Sequence, residues 1–490
     1  MRFLAVALMV TVILTSTKNS YSQTIPKEGS TLNYRIIGFS FPSFTETCTY
    51  RLEIASGNYD SPDSFAKHTV LSIDGSSNRM IAEVPAFGCS YTWRAVYINN
   101  YKILSTTQLH HFSTLMNACV DTTSFRLLIL HDAEKHKDAY VFADDSKTLY
   151  DMKGQPVWFL PNIEGIAMTP RDIKLSPQGT ITFLFDKPYE VNYNGEVLWK
   201  PLHNGAVSKD ESEHYHHEFT RMANGHYMVM GQDSTIWGTN GAKTQFGTLI
   251  EYDEKGEVAW SWRSSDYFTN SDLKYFPKPA DEKTIDIHQN SFYFDETNNY
   301  IYVSYKNISR VLKVKYPEGN VVGAYGESFK PGSPEKGNGL FCGQHAISIA
   351  QNGNLCMYNN NSCSATDLPK VMELELPHFR KGKVKAVWAY DCSMDDLAPR
   401  KKMKDDFVSG GNVVELPDQS VFVCMSSVYS KLFIVSPEKQ ILWSAIPEFY
   451  NKADEKWLPL TEFKASMIYN KADLEKLIWN AELPSAKNAQ

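Results

Sequence analysis

Three phrases of this chain open on a histidine and continue as strand, polar turn and strand: "HEFTRMANGHYMVM" at 217–230, "HQNSFYFDETNNYIYV" at 288–303 and "GQHAISIAQNGNLCMYNN" at 343–360. An imidazole, with an ordinary pKa of about 6.5, can serve near neutrality as nucleophile, proton carrier, hydrogen-bond donor or metal ligand. A single histidine at a hairpin start is most often a turn or packing residue. Three at matched places point to chemistry, because the related phrases at 172–186 and 411–426 carry Asp172 and Gly411 instead. A purely structural demand would recur in every copy. His214 and His216 in "ESEHYHHEF" share one face of a strand and could pair on a metal. No second ligand group at helical or CxxC spacing stands nearby, so no metal and no cofactor is expected.

Such residues, far apart in sequence, meet only if a repeat places them equivalently. A turn carrying Gly, followed by a strand ending in an aromatic, recurs at 151–159, 192–199 and 253–262, and in weaker form at 316–325, 379–390 and 436–445. In the last copy Glu438-Lys439 replaces the Gly turn. A strand-turn-strand phrase precedes each of the later five. Four strands per unit, repeated at 40 to 70 residues or so, mark the blade of a β-propeller. The six tails predict a six-bladed β-propeller over 121–490. The innermost strand of each blade lines the axis, so His217, His288 and His345 are expected to converge there. The stretch 460–480 holds a strand-like piece suited to closing the first blade.

Residues 23–120 read differently, as short strands at sandwich spacing such as "CTYRLEIAS" and "YTWRAVYIN". The fold class is therefore all-β, a propeller preceded by a small N-terminal β-sandwich domain. Residues 1–22 read as a signal peptide: Arg2, an apolar run from Phe3 to Leu14, and Ser20 and Ser22 before the cut. The protein is expected to be exported, periplasmic or secreted, without stable membrane insertion. Net charge is −7 with no basic run, which argues against nucleic acid as partner. Eight cysteines follow the signal. Their pairing cannot be read from sequence, but Cys48 with Cys89 and Cys356 with Cys363 are candidates.

The phrases "HHEFTRMANGHYMVM", "IDIHQNSFYFDETNNYIYVSYKNISRVLKV" and "GQHAISIAQNGNLCMYNN" resemble the bacterial arylsulfate sulfotransferases that work without phosphoadenosine phosphosulfate. The resemblance covers roughly 130–450. It implies that His345 is the nucleophile that becomes sulfated, that His288 and His217 are further catalytic channel residues, and that Asn290 and Lys306 bind the sulfuryl group. His216 takes the place of His217 in a shifted alignment. The sequence departs from the family at three places. Lys306 stands where Arg is usual, keeping the charge but losing the bidentate fork. Ala346 replaces an acidic residue, and Ile287 a polar one.

The implied reaction moves a sulfuryl group from an aryl sulfate to a phenolic acceptor through a sulfohistidine. Like phosphoryl transfer, it depends chiefly on positioning and electrostatics. The resemblance also allows a homodimer. The alternatives are a binding propeller for a sulfated or aromatic ligand, and a hydrolase in which water replaces the phenol.

Overall fold

The Gly turns of the repeat fold as one device. In the computed structural model, Asp151, Asn192 and Asp253 each accept two backbone N–H groups on a side-chain oxygen, at positions i+2 and i+4. The glycine in the third place of each turn takes a left-handed φ of 80–81°. In the last copy Ser436 Oγ plays the acceptor, and Lys439 adopts φ 67° where the others have glycine. The structure describes residues 24–132, 134–166, 168–202, 204–237, 242–269, 272, 284–326, 340–363, 368–377, 384–392, 409–426 and 430–481. The predicted signal peptide, 1–22, and most of the turn at 379–390 lie outside the described residues.

Each turn joins the two outer strands of a four-stranded antiparallel sheet. Six sheets with this four-stranded core occur among the described residues; the third adds Thr284–Asp286, parallel to Ala242–Tyr252, and the sixth adds two further strands. Their inner strands are Ala465–Ile468, Arg171–Leu175, His214–Arg221, Gln289–Asp295, His345–Ile349 and Asn412–Glu415. The first sheet is completed by the C-terminal strand Ala465–Ile468, which pairs with Tyr140–Ala143. The propeller thus closes by tying its two ends together. The helix Lys471–Asn480 follows, capped by Asn470 Oδ1 on Asp473 N. Phe125–His131 adds to the outer edge of the sixth sheet through Ile441–Asn451.

In five of the six tails a tryptophan binds the next blade. The indole N–H donates to a backbone carbonyl in the neighbouring turn: Trp158 to Tyr193, Trp199 to Asp253, Trp262 to Gly319, Trp388 to Pro437 and Trp443 to Met152. The last of these joins the sixth sheet to the first. Four of these indoles are buried and Trp388 is half-buried, and each satisfies its polar N–H on the neighbouring blade.

The N-terminal unit comprises residues 24–31, 37–84 and 89–113. A six-stranded sheet built on the antiparallel strands Thr49–Ser56 and Ser90–Asn99 is covered by the pair Ile36–Ser40 and Arg79–Glu83. Phe39 and Phe41 pack on Trp93 at ring distances of 5.1 and 6.4 Å. Residues 32–36 and 85–88 belong to the propeller unit.

Neither cysteine pair suggested by the sequence forms. Cys48 and Cys89 form no disulfide. Thr49 pairs with Ile98 and Ser56 with Tyr91, so the two thiols flank opposite ends of the paired strands. At about 3.3 Å per residue they stand roughly 30 Å apart, far beyond the ~7 Å Cα reach of a disulfide. Cys363 bonds Cys342 instead, with Cα atoms 6.0 Å apart. Cys356 is a free thiol in the core between the fifth and sixth sheets.

Candidate active site

The inner strands begin irregularly, and the irregularity brings the histidines together. Pairing with the second strand slips between Arg171 and Lys174, Tyr215 and Phe219, Gln289 and Ser291, and His345 and Ile347. At or beside these slips Asp172, His217, His288 and Ala346 take φ values of 60, 61, 55 and 43°. A left-handed non-glycine residue costs about 1–2 kcal/mol, and such strain gathers at functional sites.

Side chains from one blade hold the bulged strand of the next. Asp144 accepts from Asp172 N and Ile173 N, Asp172 from Phe219 N, Glu218 from Phe292 N, and Ser291 from Ile347 N. Asp172 therefore does structural work at the place where other blades carry a histidine.

His217, His288 and His345 converge. One ring nitrogen of each lies within 4.8 Å of the others. The ring centres of His217 and His288 are 5.2 Å apart, and those of His217 and His345 6.3 Å. His345 is buried, whereas His217 and His288 are partly exposed. The cavity beside His217 and His288 holds about 280 Å³ and is lined by His216, His217, Gln245, Phe246, Asp286 and His288 among others, with the buried His345 behind this lining.

Hydrogen bonds assign the protons on the rings. Asn360 Nδ2 donates to Gly410 O, which turns Asn360 Oδ1 towards His345 Nδ1 at 2.8 Å. His345 therefore carries its proton on Nδ1 and leaves Nε2 bare. His288 Nδ1 donates to Asp286 Oδ2 at 2.9 Å, again leaving Nε2 bare. His216 Nε2 faces the carbonyl of Gly231, to which it can only donate. In the neutral ring His216 Nδ1 then accepts from His217 Nδ1, 2.8 Å away. His217 also keeps its Nε2 lone pair.

Electrostatics hold His345, His217 and His216 neutral. Burial pushes His345 well below the usual histidine range, and the nearby Lys306 charge adds to the shift. His217 is also pushed well below that range, by burial and by its histidine neighbours, and His216 falls to about 4. Lys306 is lowered by burial, with Asp286 opposing. Among the described residues its ammonium makes no hydrogen bond or ion pair. Burial alone would raise Asp286, but its hydrogen bond to His288 and the charge there bring it below the usual carboxylate range.

Asn290 is fully buried, and its Nδ2 donates to Gln344 O at 2.7 Å. At most one of its N–H groups is left for a ligand. Gln344 in turn donates to Ser304 Oγ, Tyr305 O and Arg310 O, fixing the approach to His345. The Cys342–Cys363 bond closes the base of the same hairpin, three residues before His345 and three after Asn360. Ile287 lies in the core beneath the site, and Asp286 beside it supplies the acceptor for His288.

Sequence reasoning missed Asp286, Asn360 and Lys464. Asp286 was visible only as the acid two places before His288, and Asn360 only as the middle of three asparagines. Lys464 sits in the closing stretch, where no pattern marks it. Its buried Nζ meets Asp172 Oδ1 at 3.4 Å, Glu218 Oε1 at 3.0 Å and His217 O at 3.0 Å. The two carboxylates hold Lys464 above the usual lysine range despite burial.

The family model for arylsulfotransferase (ASST) matches residues 121–391, more than half of the chain. The chain belongs to the arylsulfotransferase family. In this arylsulfotransferase the matched span carries His217, His288, Asn290, Lys306, His345 and Asn360, and the closing strand with Lys464 lies beyond it. No curated protein matches the chain. Among solved structures, a protein of unknown function from Bacteroides caccae is 12% identical, with 70% of this chain and 99% of that one covered at a TM-score of 0.41. Apo AztD from Citrobacter koseri is 7% identical, with 86% and 98% covered at 0.31. No helix among the described residues is long and apolar enough to cross a membrane.

Proposed function

We propose that the protein transfers a sulfuryl group from an aryl sulfate ester to a phenol, with His345 as nucleophile. The observation that carries this reading is the pairing of His345 Nδ1 with Asn360, which leaves a bare Nε2 in a ring held neutral beside an uncommitted Lys306. Nε2 attacks sulfur, the N–S bond forms and the S–O bond to the aryl group breaks. The phenolate leaves readily because a phenol's pKa is about 10. A second phenol then attacks sulfur. Its proton passes to the free Nε2 of His288 or His217, and the N–S bond breaks. Asn360 is neutral, so it orients His345 without taking the Nδ1 proton, and the sulfated ring stays a good leaving group. Lys306 faces the charge spread over the sulfuryl oxygens in both steps.

The signal-like stretch 1–22 supports export, as does the Cys342–Cys363 bond, since disulfides persist in oxidising compartments. The test is p-nitrophenyl sulfate with and without added phenol. Release of p-nitrophenol that requires the phenol supports transfer. Release without it shows hydrolysis, and no release from several aryl sulfates shows a binding propeller.

A further inference from the structure

The three histidines that face the sulfuryl group also have the construction of a metal site. Metal-bound imidazoles usually hand their other ring N–H to a carboxylate, carbonyl or amide, which fixes the tautomer and the aim of the lone pair. Here His288 and His345 do so at Nδ1, and His217 Nδ1 donates instead to a neighbouring imidazole. His288 is held by Asp286, His345 by Asn360, and His217 by His216, which is itself anchored on Gly231 O. Three bare Nε2 atoms come from three different blades, and ring nitrogens of the three residues already lie within 4.8 Å of one another. A tetrahedral ion with metal–nitrogen bonds of about 2.0–2.1 Å needs its ligands roughly 3.4 Å apart. The rings must therefore close by up to about 1.4 Å, and three protein ligands leave the fourth tetrahedral position to solvent or a small ligand.

We propose that His217, His288 and His345 bind one borderline divalent transition ion, of the Zn²⁺ or Co²⁺ kind, and that this ion reversibly excludes sulfuryl transfer. The exclusion rests on the function proposed above, and the metal site does not. A metal on His345 Nε2 occupies the lone pair that attacks sulfur, so ion and aryl sulfate compete. The ion is an inhibitor and takes no part in the transfer. Imidazole ligands select this class of ion over Mg²⁺ or Ca²⁺, which prefer oxygen. The charges beside the cluster act in opposite senses on the two ligands. Lys306 favours an anion and opposes a dication, while the Asp286 carboxylate offsets part of that opposition.

The experiment uses the untagged full chain stripped with EDTA and titrated with Co²⁺. A visible absorption band of four-coordinate intensity, saturating at one ion per chain and bleached by Zn²⁺, is the expected result. His288→Ala and His217→Ala should each lose the band while keeping the far-ultraviolet spectrum of a folded β protein. His214→Ala, at an exposed position, should keep it. Lys306→Met should bind Co²⁺ more tightly while turning over aryl sulfate more slowly. Only the pale spectrum of six-coordinate aqueous Co²⁺, or a band that survives both histidine variants, overturns the site. If the band forms but Zn²⁺ leaves p-nitrophenol release unchanged, the exclusion is overturned. Since the band needs no turnover, an inactive protein that still binds Co²⁺ counts against the proposed function and leaves the site standing.

Discussion

His345 Nδ1 lies 2.8 Å from Asn360 Oδ1, and both residues are buried at the mouth of the fifth blade. In the proposed transfer this bond decides which nitrogen of His345 attacks. Replacing Asn360 by Ala leaves the buried Nδ1 without a partner, at a cost of about 1–3 kcal/mol, and frees the ring to change tautomer. Asn360→Ala should lower kcat roughly 10- to 100-fold with little change in KM. Asn360→Asp should restore orientation and move the acid limb of the pH profile upward, because a carboxylate favours the imidazolium. Equal kcat in all three proteins contradicts the assigned tautomer.

The depressed histidines set the pH behaviour. His345 and His217 lie well below the ordinary value and His216 near 4, so His345, the proposed nucleophile, stays neutral where a free imidazole would be protonated. The acid limb of kcat/KM should lie clearly below about pH 6.5. Lys306 is lowered, so the alkaline limb should begin below the ordinary lysine value of about 10.4. Stability follows the same linkage. Below about pH 6.5 the unfolded chain takes up protons that the folded rings refuse, so unfolding becomes easier as pH falls. Urea midpoints should drop between about pH 6.5 and 4, and a flat profile there contradicts the neutral cluster.

Lys306 tests the grip on the sulfuryl oxygens. Lys306→Met should cost roughly 100- to 1,000-fold in kcat, the usual loss for one oxyanion contact. Lys306→Arg should retain or raise activity, since the longer guanidinium keeps the charge and adds a fork. A large loss in the Arg variant together with a small loss in the Met variant contradicts the role. Steady-state rates with p-nitrophenyl sulfate decide it.

Lys464 is the buried cation that holds the second and third blades to the closing strand. Lys464→Met leaves Asp172 and Glu218 buried without their shared partner and should destabilise the fold by about 3–5 kcal/mol. Chemical denaturation measures this. A loss below about 1 kcal/mol, the level of a surface pair, contradicts the assignment.

The blades were legible because their signals are local. A Gly turn with an Asx acceptor and a following aromatic lie within ten residues, and each copy repeats the same physics. The convergence of His217, His288 and His345 followed from repetition once the blade was recognised. The partners that tune them were not legible. Asn360 reaches His345 across a hairpin, and His217 depends on His216, a neighbour that reads as an alternative in a shifted alignment. Lys464 meets Asp172 and Glu218 only because the C-terminal strand returns to the first sheet. The indole bonds between blades were hidden too, since aromatic endings predict packing but not the carbonyl that each N–H finds. Cysteine pairing failed for a similar reason. Closeness in sequence favoured Cys356 with Cys363, whereas the hairpin base places Cys342 beside Cys363.

The most direct test is the intact mass of the protein after brief exposure to p-nitrophenyl sulfate without acceptor, followed by peptide mapping under mildly alkaline conditions. The account predicts a gain of one SO₃ on the peptide that contains His345, removed on addition of phenol and absent in His345→Asn. A stable SO₃ on another residue, or phenol-dependent turnover that persists in His345→Asn, contradicts it.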